Sequence, residues 1–132
     1  MQGGGRNVKI YLAHPFGLRG FMRKWELEIE SKYPVEIVNP FFDLPERHDY
    51  IEIVEKDLEA LDGCDIVLAV VSERSVGTKM EIFHARRSGK IVVAYFIDPE
   101  LRSDPWIQYC VTFAAYTLNE AEEFLRGLLR RG

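Results

Sequence analysis

Apolar positions recur along the chain in two alternating rhythms. Short, nearly continuous apolar runs occupy residues 8–13, 35–38, 66–71 and 91–96. Each has the length and the β-branched content of a strand buried on both faces. Between the runs the spacing changes to that of a helix. Leu18, Phe21, Met22, Trp25 and Ile29 share one face over residues 18–33, and Pro34 ends the pattern. Val54, Leu58 and Leu61 form an apolar stripe over residues 51–61, and residues 78–88 read as a further helix closed by Gly89. Residues 39–50 read as a loop rich in Pro, Phe, Asp and His. Residues 104–117 read as a helix followed by a short strand. Asn119 with Glu122 then spells a capping box for a closing helix to residue 129.

Strands that alternate with helices of this length predict a parallel sheet covered on both faces. The right-handed crossover rule leaves few topologies. A flavodoxin-like, doubly wound α/β sheet of about five strands, in the order 2-1-3-4-5, is the natural arrangement. Its switch point lies between the first and third strands, and ligands bind beyond their carboxyl ends. Those ends are residues 13–16 and 72–78. The domain expected to carry this fold is residues 8–132, preceded by a Gly-rich flexible tail at residues 1–7.

Composition narrows the partners. The chain has 132 residues, 47% of them hydrophobic and 12% aromatic, enough for one domain with a real core. Its net charge is −4 and no Lys/Arg run interleaves with aromatics, which argues against nucleic acid or an anionic membrane as the main partner. Arg126, Arg130 and Arg131 read as the cationic end of the last helix. No apolar stretch approaches the ~20 residues of a membrane span. Cys64 and Cys110 lack metal-ligand spacing, no metal site or cofactor is expected, and a reducing cytoplasm with two core thiols is the expected setting.

Candidate chemistry gathers at residues 75–81, Ser-Val-Gly-Thr-Lys-Met-Glu, directly after the third strand. A strand, a short Ser/Gly/Thr loop and a helix start bring backbone N–H groups and a helix dipole to one point. Glu81 has two readings there. Thr78-x-x-Glu81 is also a capping box, in which the carboxylate only ties back to the Thr78 backbone. The expected switch-point crevice, at the same place, favours a working carboxylate. Asp57 adds to this, because Val54 at i−3 and Leu61 at i+4 put it on or beside an apolar stripe. An inward aspartate needs a partner or a task, whereas one at the edge of the stripe needs only solvent, and the spacing allows both.

Three segments together resemble the nucleoside 2-deoxyribosyltransferase family, which includes the deoxynucleoside 5′-monophosphate N-glycosidases. They are Ile10-Tyr11-Leu12-Ala13 with Pro15-Phe16, Asp57-Leu58 with Asp65-Ile66-Val67, and Val76-Gly77-Thr78-x-Met80-Glu81 with Ala85 and Gly89-Lys90. The resemblance spans residues 8–97. It implies the same flavodoxin-like fold, with Glu81 as a nucleophile that holds the sugar as an ester. It further implies Asp57 as an acid or orienting group near the leaving base, and Tyr11 as a phenol that orients the nucleophile. The implied substrate pocket draws on Ala13, His14, Phe16, Phe41, Ser75, Gly77 and Thr78, with Phe42 a weaker candidate.

The implied activity is cleavage of the N-glycosidic bond of a 2′-deoxynucleoside or its 5′-monophosphate, with the sugar passed to a base or to water. The family's sites are completed by a neighbouring subunit, so a homo-oligomer burying residues 105–109 is expected. This chain departs from the pattern in places. Position 14 is His where the family usually has a small residue. Ser75 matches the monophosphate hydrolases rather than the Asp of the transferases. The Ser-x-Arg that those hydrolases carry after the first strand is missing, with Arg19 near but displaced. His48 and His84 are given no role. A non-catalytic nucleotide-binding module on the same fold, with Glu81 reduced to a cap, is the alternative.

Overall fold

The computed structural model describes residues 7–46 and 49–131. Most of the expected tail, and His48, lie outside the described residues. Five parallel strands form one sheet in the order β2-β1-β3-β4-β5. They are β1 (Val8–Ala13), β2 (Val35–Val38), β3 (Ile66–Val71), β4 (Ile91–Phe96) and β5 (Phe113–Ala115). Six helices connect or close them: α1 (Arg19–Lys32), α2 (Pro40–Asp43), α3 (Tyr50–Asp62), α4 (Val76–Arg87), α5 (Pro105–Cys110) and α6 (Leu118–Arg131). This is the flavodoxin-like arrangement expected from the rhythm of the sequence.

The two-residue period of the strands divides the core in two. Ile10 and Leu12 of β1 and Ile66, Leu68 and Val70 of β3 pack with α1 and α6. Tyr11 and Ala13, with Val67, Ala69 and Val71, point the other way, against Leu61 of α3, Ile82 and Ala85 of α4, and Ile107 and Cys110 of α5. All six residues of β3 are buried, so the central strand reads as an unbroken apolar run. The same alternation sends the Tyr11 side chain to the face where α4 lies.

Several local details differ from the sequence reading. Helix α4 begins at Val76 with Ser75 at the N-cap position, two residues before the expected start. The closing helix is capped by Thr117, whose Oγ1 accepts the Glu120 N–H at 3.1 Å, while Glu120 accepts the Tyr116 N–H at 2.6 Å. Glu122, expected in that box, instead accepts from the Tyr33 hydroxyl at 2.7 Å and from Lys32 at 3.3 Å. The expected loop contains α2, where Asn39 caps the Phe41 N–H and Pro40 occupies the first turn.

The largest departure is on α3. Val54 was expected along the buried stripe but is 54% exposed, as are Tyr50 and Ile51 in large part. Only Leu61 of this helix is fully buried. The apolar stripe therefore continues past the point where this chain covers it. Among the described residues no helix is long and apolar enough to cross a membrane.

Candidate active site

The carboxyl ends of β1 and β3 open onto a crevice of about 320 Å³. Its walls come from separate elements. His14 and Phe16 follow β1, Phe41 belongs to α2, Asp57 to α3, and Ser75, Gly77, Thr78 and Glu81 to the start of α4. These lie around one space although they are drawn from residues 14 to 81. Pro15 and Val76 also line it, quoted in the resembling segments but given no role there, and so do Arg74 and Pro40, which the sequence reading did not single out. Arg74 adjoins Ser75 in the same loop, and Pro40 follows Asn39 at the end of β2, so position relative to the strand ends was the available signal.

Glu81 stands in the second turn of α4, because the helix starts at Val76. That removes the capping-box reading, since Thr78 lies inside the helix and not at its N-cap. The Ser75 hydroxyl donates to Thr78 Oγ1 at 2.5 Å and does not cap the backbone. Glu81 is instead engaged from the sheet. The Tyr11 hydroxyl donates to Glu81 Oε2 at 2.6 Å, across 70 residues of sequence. Tyr11 is fully buried and Glu81 half-buried, so the phenol is fixed by the core while the carboxylate faces the crevice. A distance this short belongs to the charge-assisted class of hydrogen bond.

Asp57 is half-buried and lines the crevice with Glu81. The N-terminal turn of α4 adds partial positive charge on the same side. A Cβ built on Gly77 would meet no atom within 4 Å, so the backbone there is open to approach. The aromatic wall is built by His14 and Phe41, with ring centroids 4.9 Å apart, and by Phe16, edge-on to Phe41 at 5.3 Å. The Arg19 guanidinium lies 3.7 Å from the Phe16 ring centroid and donates to the Phe16 carbonyl. Phe42 stands under Arg23 at 4.8 Å and does not line the crevice.

Ala13 corrects the expected pocket. It is fully buried in the core on the α4 side of the sheet and does not reach the crevice. His14 is buried, and burial pulls its pKa below the usual 6.5, against hydrogen bonds at Pro15 and Asn39 that push it up. His84 pairs with Asp62 at 2.7 Å, away from the crevice residues. Among the described residues no group of His, Cys, Asp and Glu is arranged to hold a metal ion.

No protein-family profile matches the chain, and no curated protein sequence does. Solved structures do. A 2-deoxyribosyltransferase from the psychrotolerant bacterium Bacillus psychrosaccharolyticus superposes with a TM-score of 0.73 at 22% identity, covering 87% of this chain and 90% of that one. A conserved protein from Enterococcus faecalis V583 gives 0.73 at 15% identity, over 93% and 99% of the two chains. A CMP N-glycosidase from Clostridium botulinum gives 0.62 at 19% identity, over 89% and 98%. The chain therefore has the fold on which a 2-deoxyribosyltransferase and a CMP N-glycosidase are built.

Proposed function

We propose that the protein cleaves the N-glycosidic bond of a 2′-deoxynucleoside or of its 5′-monophosphate. Glu81 attacks C1′ of the sugar. A bond from the carboxylate oxygen to C1′ forms as the C1′–N bond breaks, and the base departs with the bonding electron pair. Asp57 supplies or steers the proton that the departing base takes up. A second base, or water, then attacks C1′ and frees the Glu81 carboxylate. The first outcome is transfer and the second is hydrolysis. The aromatic wall of His14, Phe41 and Phe16 suits a flat base, since every base presents a π-face.

One observation carries this reading: the 2.6 Å bond from the buried Tyr11 hydroxyl to Glu81, in the second turn of α4 and at the switch-point crevice. A carboxylate serving only as a cap has no use for a donor delivered from the central sheet. The likeness to a 2-deoxyribosyltransferase and a CMP N-glycosidase supports the same chemistry.

Chromatography of products from nucleosides and 5′-monophosphates, with and without a second base, tests the proposal and separates transfer from hydrolysis. Glu81→Gln should abolish turnover while leaving the fold intact. Turnover by that variant would sink the nucleophile assignment. Nucleotide binding without any product would favour the non-catalytic alternative.

The working form is proposed to be a homo-oligomer. Val76, Met80 and Phe83 lie along one side of α4 at helical spacing, and Met80 is 69% exposed. Trp106 of α5 is 71% exposed and stands 6.3 Å from the Phe83 ring. Val76 also belongs to the crevice rim, so a second copy seated on this face would wall the site.

A further inference from the structure

Behind the aromatic wall runs a chain of buried polar side chains that the proposed chemistry does not use. His14 Nδ1 lies 3.0 Å from the Pro15 carbonyl oxygen, and Nε2 lies 3.1 Å from Asn39 Oδ1. The Asn39 amide is fixed from two sides. Its Oδ1 also accepts the Phe41 N–H at 3.1 Å, and its Nδ2 donates to Glu26 Oε1 at 2.6 Å. Turned over, the amide would set its NH₂ against the Phe41 N–H and its carbonyl against the Glu26 carboxylate. Arg23 donates to the other Glu26 oxygen at 3.2 Å.

Glu26 is 1% exposed and Asn39 fully buried. Burial raises the Glu26 carboxyl pKa, opposed by the Asn39 bond and by Arg23. A carboxylate in that position is a cost to folding unless it has a task. A neutral imidazole carries one N–H, and the Asn39 oxygen can only accept. The Pro15 carbonyl and the Asn39 oxygen each already accept one backbone N–H, from Leu18 and Phe41. The Asn39 amide also donates to the Glu26 carboxylate, which polarises it and makes its oxygen the stronger acceptor, and this favours the ring hydrogen on Nε2.

We propose that Glu26 and Asn39 are positioning residues that hold His14 in its Nε2–H tautomer and pin its ring beside Phe41, as the wall on which the base of the substrate rests. The identity of that ligand rests on the function proposed above. Both ring nitrogens are turned to protein atoms, so the wall offers a ring surface and no hydrogen bond. It selects for flatness without reading the edge of the base. Discrimination among bases is left to other parts of the crevice.

Two readouts test the proposal on the full chain. Long-range proton–nitrogen NMR spectra of the histidine rings, recorded at about pH 8 where a free imidazole is neutral, report the tautomer without any substrate. The wild type should show His14 as Nε2–H. Glu26→Gln still accepts from Asn39 and should keep that tautomer and the wild-type KM. Glu26→Leu frees the amide, should populate the Nδ1–H form, and should raise KM about tenfold, the scale of one lost pocket contact. Its kcat should stay within about twofold of wild type.

Replacing a buried carboxylate by an apolar side chain of similar volume is often neutral for folding. Should Glu26→Leu fail to fold, the wild-type tautomer still decides. A wild-type Nδ1–H tautomer would overturn the proposal, as would a folded Glu26→Leu protein with unchanged tautomer and KM. Absence of turnover on every nucleoside and nucleotide would overturn the proposed function, while the spectra would still judge the positioning role.

Discussion

Tyr11→Phe isolates the bond on which the active-site reading depends. The substitution removes a single oxygen. The ring is fully buried between β1 and α4, and phenylalanine fills the same space, so packing should survive. What is lost is an O–H donor 2.6 Å from Glu81 Oε2. A hydrogen bond to a charged group contributes roughly 1.5–3 kcal/mol. If the phenol holds the carboxylate in its attacking geometry, that range becomes a fall in kcat/KM of about 10- to 150-fold.

Stability should change much less. Glu81 is half-buried, so water can replace the lost donor, and the net effect on folding is about 1 kcal/mol or below. For a chain of this size that is a shift of roughly 3–5 °C in Tm. The assay is product formation under subsaturating substrate, with a thermal melt run beside it. Wild-type kcat/KM in a folded Tyr11→Phe protein would refute the orienting role. Loss of activity together with collapse of the melt would show that the hydroxyl serves the fold and not the site.

Three further outcomes follow from the same structure. Asp57→Asn should slow base departure and alter the pH–rate profile, and an unchanged rate with an unchanged profile would make Asp57 a bystander. His14 is held below its usual pKa by burial, so the unfolded chain binds the proton more readily than the folded one. Stability should therefore fall as pH drops below 6.5 and down through the lowered value, a loss that His14→Gln should not share. Parallel melting curves for the two proteins between about pH 7.5 and pH 5.5 would contradict this. Finally, Met80→Glu with Trp106→Glu should yield monomers by light scattering and lower activity. Full activity in a monomer at assay concentration would remove the assembly proposal.

The strands were legible because their signal is local. All six residues of β3 are apolar and buried. The position of Glu81 at the crevice was legible because a strand end followed by Ser, Gly and Thr marks a switch-point turn in this fold. The start of α4 was misread because Val76 and Gly77 are poor helix formers, and a propensity reading postpones the helix to Thr78. Val54 was misread for a different reason. The periodicity of a helix records that one side is apolar, not whether the same chain covers it. The Glu26–Asn39–His14 chain left no trace in the pattern. Its members are 13 and 25 residues apart, on a helix, a strand end and a loop, and only the closed sheet brings them together.

The two sides of the crevice differ in how firmly they are held. Tyr11 belongs to β1, hydrogen-bonded between β2 and β3, and central strands of this kind sit at the high end of local opening energies. The opposite side is the short 3-10 turn Phe16–Leu18 and the four-residue α2, with Phe16, Phe41 and Phe42 exposed in large part. Small, solvent-facing elements of this kind sit at the low end of local opening energies. Backbone amide exchange should therefore be slow at Tyr11 and fast at Phe16 and Phe42. A ligand of unusual bulk would be accommodated by displacement on the aromatic side, while the Tyr11–Glu81 pair kept its geometry.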